Sequence, residues 1–421
     1  MDITLIGVGA AAIGIYALVS GRLTKSIISG PLFFTAVGIG AVALGLGTEP
    51  TGDVTGVAQV ALEMTLALVL FTDAMATNIT SWLEEGKLPS RLLVVGMPLI
   101  ILAGAIVAAG VFPEFDLVGA AIVATVLAPT DAALGKPVVS NTRVPVRIRE
   151  ALNIESGLND GIALPFLLFF IAIGEAEQGA NLVSLLLSAI GIAVIVGVAI
   201  GWVFARLIVL SSERGWMLPI WRQIAVVAVP VLVYVVADEL GGSGFIAAFV
   251  GGLTFGRLLL ASYPDTADFA EDLAEVLTMV AFMIFGGLLL QPRFGEFTWE
   301  MLLYALLGLT LVRMVPVAIS MIGTRLRFPT ILYMGWFGPR GLASLIFAAV
   351  VIEEADVAGT DLMVTIVTLT VALSILLHGI TAYPGSNAYA DWYERQGEDH
   401  DQMRESKDVD SIQRRRRITR A

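Results

Sequence analysis

Residues 127–165 read LAPTDAALGKPVVSNTRVPVRIREALNIESGLNDGIALP and combine prolines and acids with apolar residues. It places Pro129 beside Thr130 and Asp131 within an apolar segment, and it later carries Glu155 and Asp160 among apolar residues. A proline removes an intrahelical hydrogen bond, and freed carbonyls in lipid are tolerated only against protein, water or an ion. The stretch therefore predicts a broken helix followed by a helix with a polar face.

The composition of the whole chain supports a membrane environment. Of its 421 residues, 57% are hydrophobic and 15% are charged, whereas soluble domains carry about 25% charged residues. The absence of cysteine excludes disulfides and thiolate metal sites, and His378 and His400 lie too far apart for a histidine-rich metal site. The net charge of −12 argues against nucleic-acid binding. We expect no cofactor. The amino end lacks the pattern of a signal peptide and is interpreted as a first span.

A membrane-spanning helix needs about 20 mostly apolar residues, and the chain contains thirteen candidates. The sequence therefore predicts an all-α polytopic membrane protein. The spans lie roughly at 3–20, 29–47, 55–78, 90–111, 117–135, 149–173, 182–208, 220–238, 244–261, 273–291, 300–321, 329–352 and 362–382.

The distribution of basic residues orients these spans. The loops from odd to even spans hold 14 Lys and Arg residues, and the loops from even to odd spans hold only Arg293. Because cytoplasmic loops carry the excess of basic residues, we expect the amino end outside and the carboxyl end in the cytoplasm. Residues 385–421 form a charged tail in this interpretation. Its RRRR at 414–417 is either solvated or in contact with anionic lipid.

The polar face of span six is arranged with helical spacing. Glu155 and Asn159 are four residues apart, as are Ser156 and Asp160, so all four side chains share one side of the helix. Intramembrane acids usually mark an ion or proton pathway. The alternative is a polar stripe that only holds neighbouring helices together.

Span twelve contains a second interruption. YMGWFGPRGLASL (333–345) surrounds Arg340 with Pro339 and three glycines. Two interrupted spans in corresponding positions of two halves point to the binding site of a secondary transporter. Spans 1–6 and 8–13 are the predicted halves, and the odd number of spans between equivalent elements means inverted topology.

The chain resembles monovalent cation/proton antiporters of the NhaP type, which are related to the eukaryotic sodium–proton exchangers. The resemblance is carried by residues 127–165 and by LFTDA (70–74), GPRG (338–341) and LLHGITAYP (376–384). It implies exchange of a monovalent cation for H+ by alternating access, with Na+ as the first choice and K+ or Li+ as further possibilities. It also implies a homodimer in a prokaryotic plasma membrane, active in pH homeostasis.

The resemblance further implies a cation and proton site. Asp160 is the expected transport carboxylate, with Asp131, Ser156 and the Thr130 carbonyl as further oxygen ligands. Asp73 of span three occupies the place of an acid that contributes in some members.

Supporting roles follow from the same resemblance. Asn159 is expected to brace Thr130, Glu155 to pair with Arg313, and Arg340 to offset the dipoles at the span-twelve break. Because Asn159 stands where electrogenic antiporters carry a second aspartate, we expect electroneutral 1:1 exchange. His378 is either a pH sensor or a cap for helix carbonyls.

The resemblance also implies a division of the 1–384 transmembrane domain into two parts. The scaffold and dimerisation part would comprise about 1–88 and 182–291, and the core about 89–173 and 300–384. The alternatives are a sodium-coupled symporter of an organic anion on the same fold, a channel, or a non-transporting sensor. We expect no enzyme, because the sequence has no nucleophile–base set, phosphate loop or metal triad.

Overall fold

The computed structural model describes residues 3–23, 26–46, 52–77, 87–175, 182–354, 359–396 and 403–406, and within these ranges it is helical and contains no strand. The helices are α1 Ile3–Leu23, α2 Gly30–Ala43, α3 Gly52–Ala76, α4 Lys87–Val111, α5 Leu117–Val126, α6 Ala132–Ser140, α7 Val146–Glu175, α8 Leu182–Glu213, α9 Pro219–Glu239, α10 Gly244–Leu259, α11 Asp268–Ile284, α12 Trp299–Leu309, α13 Leu311–Ser320, α14 Phe328–Trp336, α15 Leu342–Glu354 and α16 Thr360–Glu394.

Helices lie at all thirteen predicted ranges, so the all-α prediction is confirmed. Among the described residues, eight helices are long and apolar enough to cross a membrane. Four further apolar helices are shorter, and they are Gly30–Ala43, Leu117–Val126, Gly244–Leu259 and Leu342–Ile352. The number of spans that cross the membrane stays a prediction.

Spans five and twelve are interrupted, as the sequence predicted. Residues 127–131 separate α5 from α6, and residues 337–341 separate α14 from α15. Each break contains a proline, Pro129 or Pro339, which cannot donate a backbone hydrogen bond. The new helix after the first break begins with Asp131 as its N-cap. We call residues 127–131 the first break and residues 337–341 the second break.

Other irregularities were not predicted. Span eleven is divided between α12 and α13 at Thr310, whose backbone departs from helical geometry at φ −113 and ψ −93. The π-helical turns Leu92–Gly96 and Phe285–Leu290 interrupt α4 and extend α11. Gly286 in the second of these turns packs against the backbone of Thr35, a tertiary contact that the sequence did not reveal.

The glycine-rich sequence FVGGLTFG (249–256) lies on α10, at its contact with α3. A Cβ atom added at Gly252 would clash with the backbone of Phe71, and one added at Gly256 would clash with the backbone of Met75. The sequence left sliding surfaces and plain close packing open for these glycines. The geometry is that of close packing between two helices that both belong to the predicted scaffold.

The carboxyl-terminal region differs from its prediction. Helix α16 continues to Glu394, so the tail boundary placed at 385 falls inside a helix. Further on, Glu405 is only 1% exposed. Its carboxylate accepts hydrogen bonds from the Arg327 backbone and the Thr330 hydroxyl, both at 2.8 Å. This part of the tail is therefore packed against the start of α14, although its sequence is polar. His400 and the RRRR sequence lie outside the described residues.

Candidate ion-binding site

The two breaks cross and are hydrogen-bonded to each other. The backbone N–H of Asp131 in the first break donates to the carbonyl of Pro339 in the second, at 2.8 Å. The guanidinium of Arg340 donates to the carbonyls of Ala128 and Pro129, at 2.5 and 3.0 Å. These carbonyls lie at the carboxyl end of α5, where a helix carries partial negative charge. Each break therefore satisfies backbone groups that the other leaves free.

Asp131 joins two helix N-termini with one carboxylate. Its Oδ1 accepts from the backbone N–H of Leu134 in α6, and its Oδ2 accepts from that of Leu342 in α15, both at 2.8 Å. Helix N-termini carry partial positive charge and favour an anion. The side chain is only 7% exposed. A Cβ at Gly341 would clash with this carboxylate, so the close approach of the second break requires glycine there.

Span six contacts the first break through Thr130. The Ser156 hydroxyl donates to the Thr130 carbonyl at 2.8 Å, and the Asn159 amide donates to the Thr130 hydroxyl at 2.6 Å. The pairing of Asn159 with Thr130 is the one named from the sequence. Two of the expected cation ligands, the Ser156 hydroxyl and the Thr130 carbonyl, are bonded to each other.

Asp160 has a different environment from the other acids of this region. It is buried at 7% exposure, and its Oδ1 has no hydrogen-bond partner. It lines a cavity of about 640 Å³ together with Asp73 and Asp131. A buried carboxylate oxygen without a partner is energetically costly unless something occupies the space beside it.

Glu155 is held by an arginine, unlike Asp160. Its two carboxylate oxygens accept from Nη1 and Nη2 of Arg313 at 2.6 and 2.9 Å. Both side chains are almost fully buried. The two-point geometry compensates both charges, so this pair stabilises the contact of α7 with α13.

The structure divides the expected ligands between two spaces. Asp73, Asp131 and Asp160 line the large cavity. Thr130, Ser156 and Asp131 line a second space of about 20 Å³. Asp131 is the only one of the five that borders both spaces. Within the described part of the chain, no group of three or more His, Asp or Glu residues is arranged to hold a metal ion.

The large cavity is strongly acidic, which the sequence did not indicate. Lys136 of α6 contacts Glu275 of α11 at 2.5 Å, and both side chains are substantially exposed. The remaining charged residues of the lining are Glu150 and Glu271. Lys136 and Glu150 are more than 120 residues from Glu271 and Glu275 in the sequence, so only the fold brings the two pairs together.

The sequence of this chain is similar to those of known proteins. The sequence model of the family described as Sodium/hydrogen exchanger, transmembrane, matches residues 8–385. The chain is 28% identical over 198 residues to the uncharacterized Na(+)/H(+) exchanger YjcE of Escherichia coli (strain K12), covering 45% of this chain and 35% of YjcE. It is 27% identical over 386 residues to the K(+)/H(+) antiporter NhaP2 of Shewanella sp. (strain MR-4), covering 89% and 65% respectively. The chain thus spans less than two thirds of the length of these relatives.

A solved structure has the same fold. The sodium proton antiporter MjNhaP1 from Methanocaldococcus jannaschii at pH 8 superposes with a TM-score of 0.75, at 21% sequence identity, covering 93% of this chain and 100% of that chain. The apolar helices and the family match together make the chain an integral membrane protein. Because the family model covers nearly all of the described helices, the chain belongs to the Sodium/hydrogen exchanger, transmembrane family.

Proposed function

We propose that this protein exchanges a monovalent cation for H+ across a membrane by alternating access, with Asp160 as the carrier. The single observation behind this proposal is that Asp160 has a buried carboxylate oxygen without a partner, beside a large cavity. Glu155 is paired with Arg313, and Asp131 accepts from two backbone N–H groups. Of these three acids, Asp160 is therefore the one best able to change its ligand.

Competition at one carboxylate is sufficient for coupled exchange. Asp160 binds either a proton or a cation, because each neutralises the same charge. If the core moves only when this charge is neutralised, one cation leaves for each proton that enters. With Asn159 in the adjacent position, the exchange is electroneutral at 1:1. A sustained membrane potential produced by transport in proteoliposomes would contradict this stoichiometry.

The cation is held by oxygen atoms, which suit hard cations. Asp160 and Asp131 supply carboxylate oxygens, Asp73 contributes across the cavity, and Ser156 and Thr130 contribute after their mutual hydrogen bond opens. Na+ is our first choice and K+ the second, since the names of the relatives include both ions. Li+ is a further candidate for the transported cation.

The cavity supports a particular orientation and state. Its lining includes Lys136 and Pro264, which lie beside loops that carry the predicted cytoplasmic basic residues. With the orientation predicted from the basic loops, amino end outside in a prokaryotic plasma membrane, this conformation would be inward-facing. We assign residues 89–173 and 300–384 to the moving core and 1–88 and 182–291 to a scaffold that forms a homodimer.

The charge of the cavity disfavours the organic-anion symporter. A substrate anion needs donors or positive charge in its pocket. Among the described residues that line the cavity, the only basic side chain is Lys136, whose ammonium contacts Glu275. The acidic lining instead attracts cations, because a cleft lined with charge of one sign concentrates the opposite ion.

The test is dequenching of a pH-sensitive dye in proteoliposomes that carry an imposed proton gradient. Na+, K+ and Li+ are added separately to wild type, Asp160→Asn and the matched control Asp268→Asn, whose acid is exposed at the start of α11. We expect wild type and the control to respond and Asp160→Asn to be silent. If folded wild type responds to none of the three ions, the antiport proposal is wrong and the symporter or sensor alternative replaces it.

A further inference from the structure

Helix α14 ends at Trp336, and its last carbonyl accepts two hydrogen bonds. One comes from Gly338 N at 2.8 Å, across a tight turn in which Phe337 has φ −82 and ψ 62. The other partner is Nε2 of His378, at 3.0 Å. This carbonyl therefore fixes the point at which the chain leaves α14 and enters the second break.

The other ring nitrogen of His378 faces Ser374, one turn earlier on α16. His378 Nδ1 lies 3.2 Å from the Ser374 hydroxyl oxygen and 3.1 Å from the Ser374 carbonyl oxygen. The same hydroxyl oxygen accepts from the backbone N–H of Arg340 at 2.6 Å. Since that hydroxyl already accepts from Arg340, it can donate its own proton to Nδ1.

The partners of the two ring nitrogens restrict the protonation state of the imidazole. The Trp336 carbonyl can only accept, so Nε2 carries a proton. An unprotonated Nδ1 accepts from the Ser374 hydroxyl, whereas a protonated Nδ1 would donate to the Ser374 carbonyl. Burial of the ring disfavours the doubly protonated, charged form. A neutral imidazole protonated on Nε2 therefore completes a continuous chain from the Arg340 N–H, through the Ser374 hydroxyl and His378, to the Trp336 carbonyl. His378 is 1% exposed, and its ring lies 5.1 Å from the Trp336 ring.

This chain of hydrogen bonds joins the two ends of the second break. Trp336 directly precedes the break, and Arg340 lies near its end. The Arg340 side chain in turn donates to the Ala128 and Pro129 carbonyls of the first break. Pro129 precedes Asp131 by two residues. A displacement of the Arg340 backbone would therefore be transmitted to the crossing.

We propose that Ser374 and His378 are positioning residues that clamp the second break, and that the clamp is made by neutral His378 with its proton on Nε2. They touch no transported ion, and they act by fixing the backbone of Arg340 and through it the crossing. The proposal rests on the proposed function only in its effect on transport, since the clamp itself is a structural property.

The first experiment measures the clamp independently of transport. The full chain has only two histidines, so protein labelled with ¹⁵N-histidine gives two sets of ring signals, and the His400→Gln variant assigns them. At neutral pH we expect His378 to be neutral, with its proton on Nε2. A proton on Nδ1 alone, or on both nitrogens, would overturn the proposal even if the antiport assay succeeds.

The second experiment separates positioning from packing. His378→Leu and Ser374→Ala are each expected to raise the half-saturating cation concentration about fivefold, the effect of losing roughly one net hydrogen bond, with a smaller change in maximal rate. Because both residues belong to one chain of hydrogen bonds, the double variant should be no worse than either single variant. His378→Gln, whose amide can donate to Trp336, should recover part of the affinity.

Thr370→Val is the matched control, because its buried hydroxyl donates to the Ile366 carbonyl within the same helix. We expect its half-saturating concentration to stay at the wild-type value. Additive effects of the two clamp variants, or equal defects in His378→Gln and His378→Leu, would contradict the proposal. An inactive wild type would instead refute the antiport function and leave the NMR result to decide the clamp.

Discussion

The two breaks occupy corresponding places in the two halves of the chain, yet their helix ends are satisfied by different chemistry. The carboxyl end of α5, at the first break, receives the charged guanidinium of Arg340. The carboxyl end of α14, at the second break, receives the ring of His378. The amino ends of α6 and α15 share one carboxylate, that of Asp131. The two breaks therefore share a proline and a crossing position without sharing the group that stabilises the helix end.

The three acids near the two breaks also differ in their hydrogen-bond partners. Glu155 and Asp131 have their oxygens engaged by an arginine and by backbone N–H groups, whereas Asp160 retains a buried oxygen without a partner. The first two are needed to hold the breaks in place.

The largest expected effect is loss of the ion pair behind the second break, where Arg313 lies directly against Gly338. Arg313→Met leaves Glu155 buried without its partner and should destabilise the protein by about 3–5 kcal/mol. The measurement is the midpoint of thermal unfolding in detergent. The double variant Arg313→Met, Glu155→Leu should recover most of this loss. If the single and double variants melt together, the stranded charge is not the cause.

The next effect tests whether one acid serves both breaks. Asp131→Asn keeps the shape but supplies one acceptor oxygen where two backbone N–H groups need acceptors. We expect a loss of about 3 kcal/mol, because one buried donor at a helix N-terminus is left without a partner. Hydrogen exchange should therefore increase in the first turn of either α6 or α15, whichever helix faces the amide nitrogen. Unchanged exchange in both helices would contradict the role of Asp131 as their shared acceptor.

Two glycine-to-alanine substitutions test how closely the second break approaches Asp131. Gly341→Ala puts a methyl group against the Asp131 carboxylate and should cost about 2 kcal/mol through overpacking. Gly135→Ala on α6 meets nothing within 4 Å. It should instead stabilise that helix by about 0.5–1 kcal/mol, because alanine suits a helix interior better than glycine does. Both are read from unfolding midpoints, and equal shifts would contradict the close approach of the second break.

A smaller effect is expected at the first break alone. Arg340→Lys retains the charge but supplies a compact ammonium in place of the planar guanidinium that reaches two carbonyls. We expect a loss of about 1 kcal/mol, measured as above, with the cation affinity lowered more than the maximal rate. A loss as large as that of Arg313→Met would show that the charge of Arg340 also has a partner beyond these carbonyls.

The smallest effect lies outside the crossing. Arg143, which follows α6, forms exposed ion pairs with Asp391 and Glu394 at the end of α16, and these hydrogen bonds raise the pKa of its guanidinium. Arg143 therefore stays charged at every working pH. Exposed pairs contribute little and are screened by salt. Arg143→Gln should lower the unfolding midpoint least of all, and the difference from wild type should shrink as NaCl is added.

Much of this architecture could be predicted because its signals are local. Prolines and glycines fix the two breaks, apolar length fixes the helices, and helical spacing places Glu155 and Asp160 on one helix. The break at Thr310, the burial of Glu405 and the acidic cavity lining could not be predicted. They depend on which elements distant in the sequence come into contact. The sequence alone does not distinguish a buried glutamate from an exposed one.

The candidate site illustrates the same limit. The residue types were available from the sequence and from the family resemblance, but their hydrogen bonds were not. The separation of Ser156 and Thr130 from the large cavity, and the engagement of both Asp131 oxygens, require coordinates. The assignment of these residues to the cation therefore stays a prediction.

The glycine contacts of α10 with α3 have a mechanical consequence. Gly252 and Gly256 bring the backbones of α10 and α3 into direct contact, so these two positions have no side chain that could be rearranged. A contact with no alternative side-chain packing resists shear and offers only one low-energy arrangement. Helices α3 and α10 therefore behave as one rigid unit. In the proposed transport cycle, any displacement of Asp160 would then be taken up at helix contacts lined by flexible side chains.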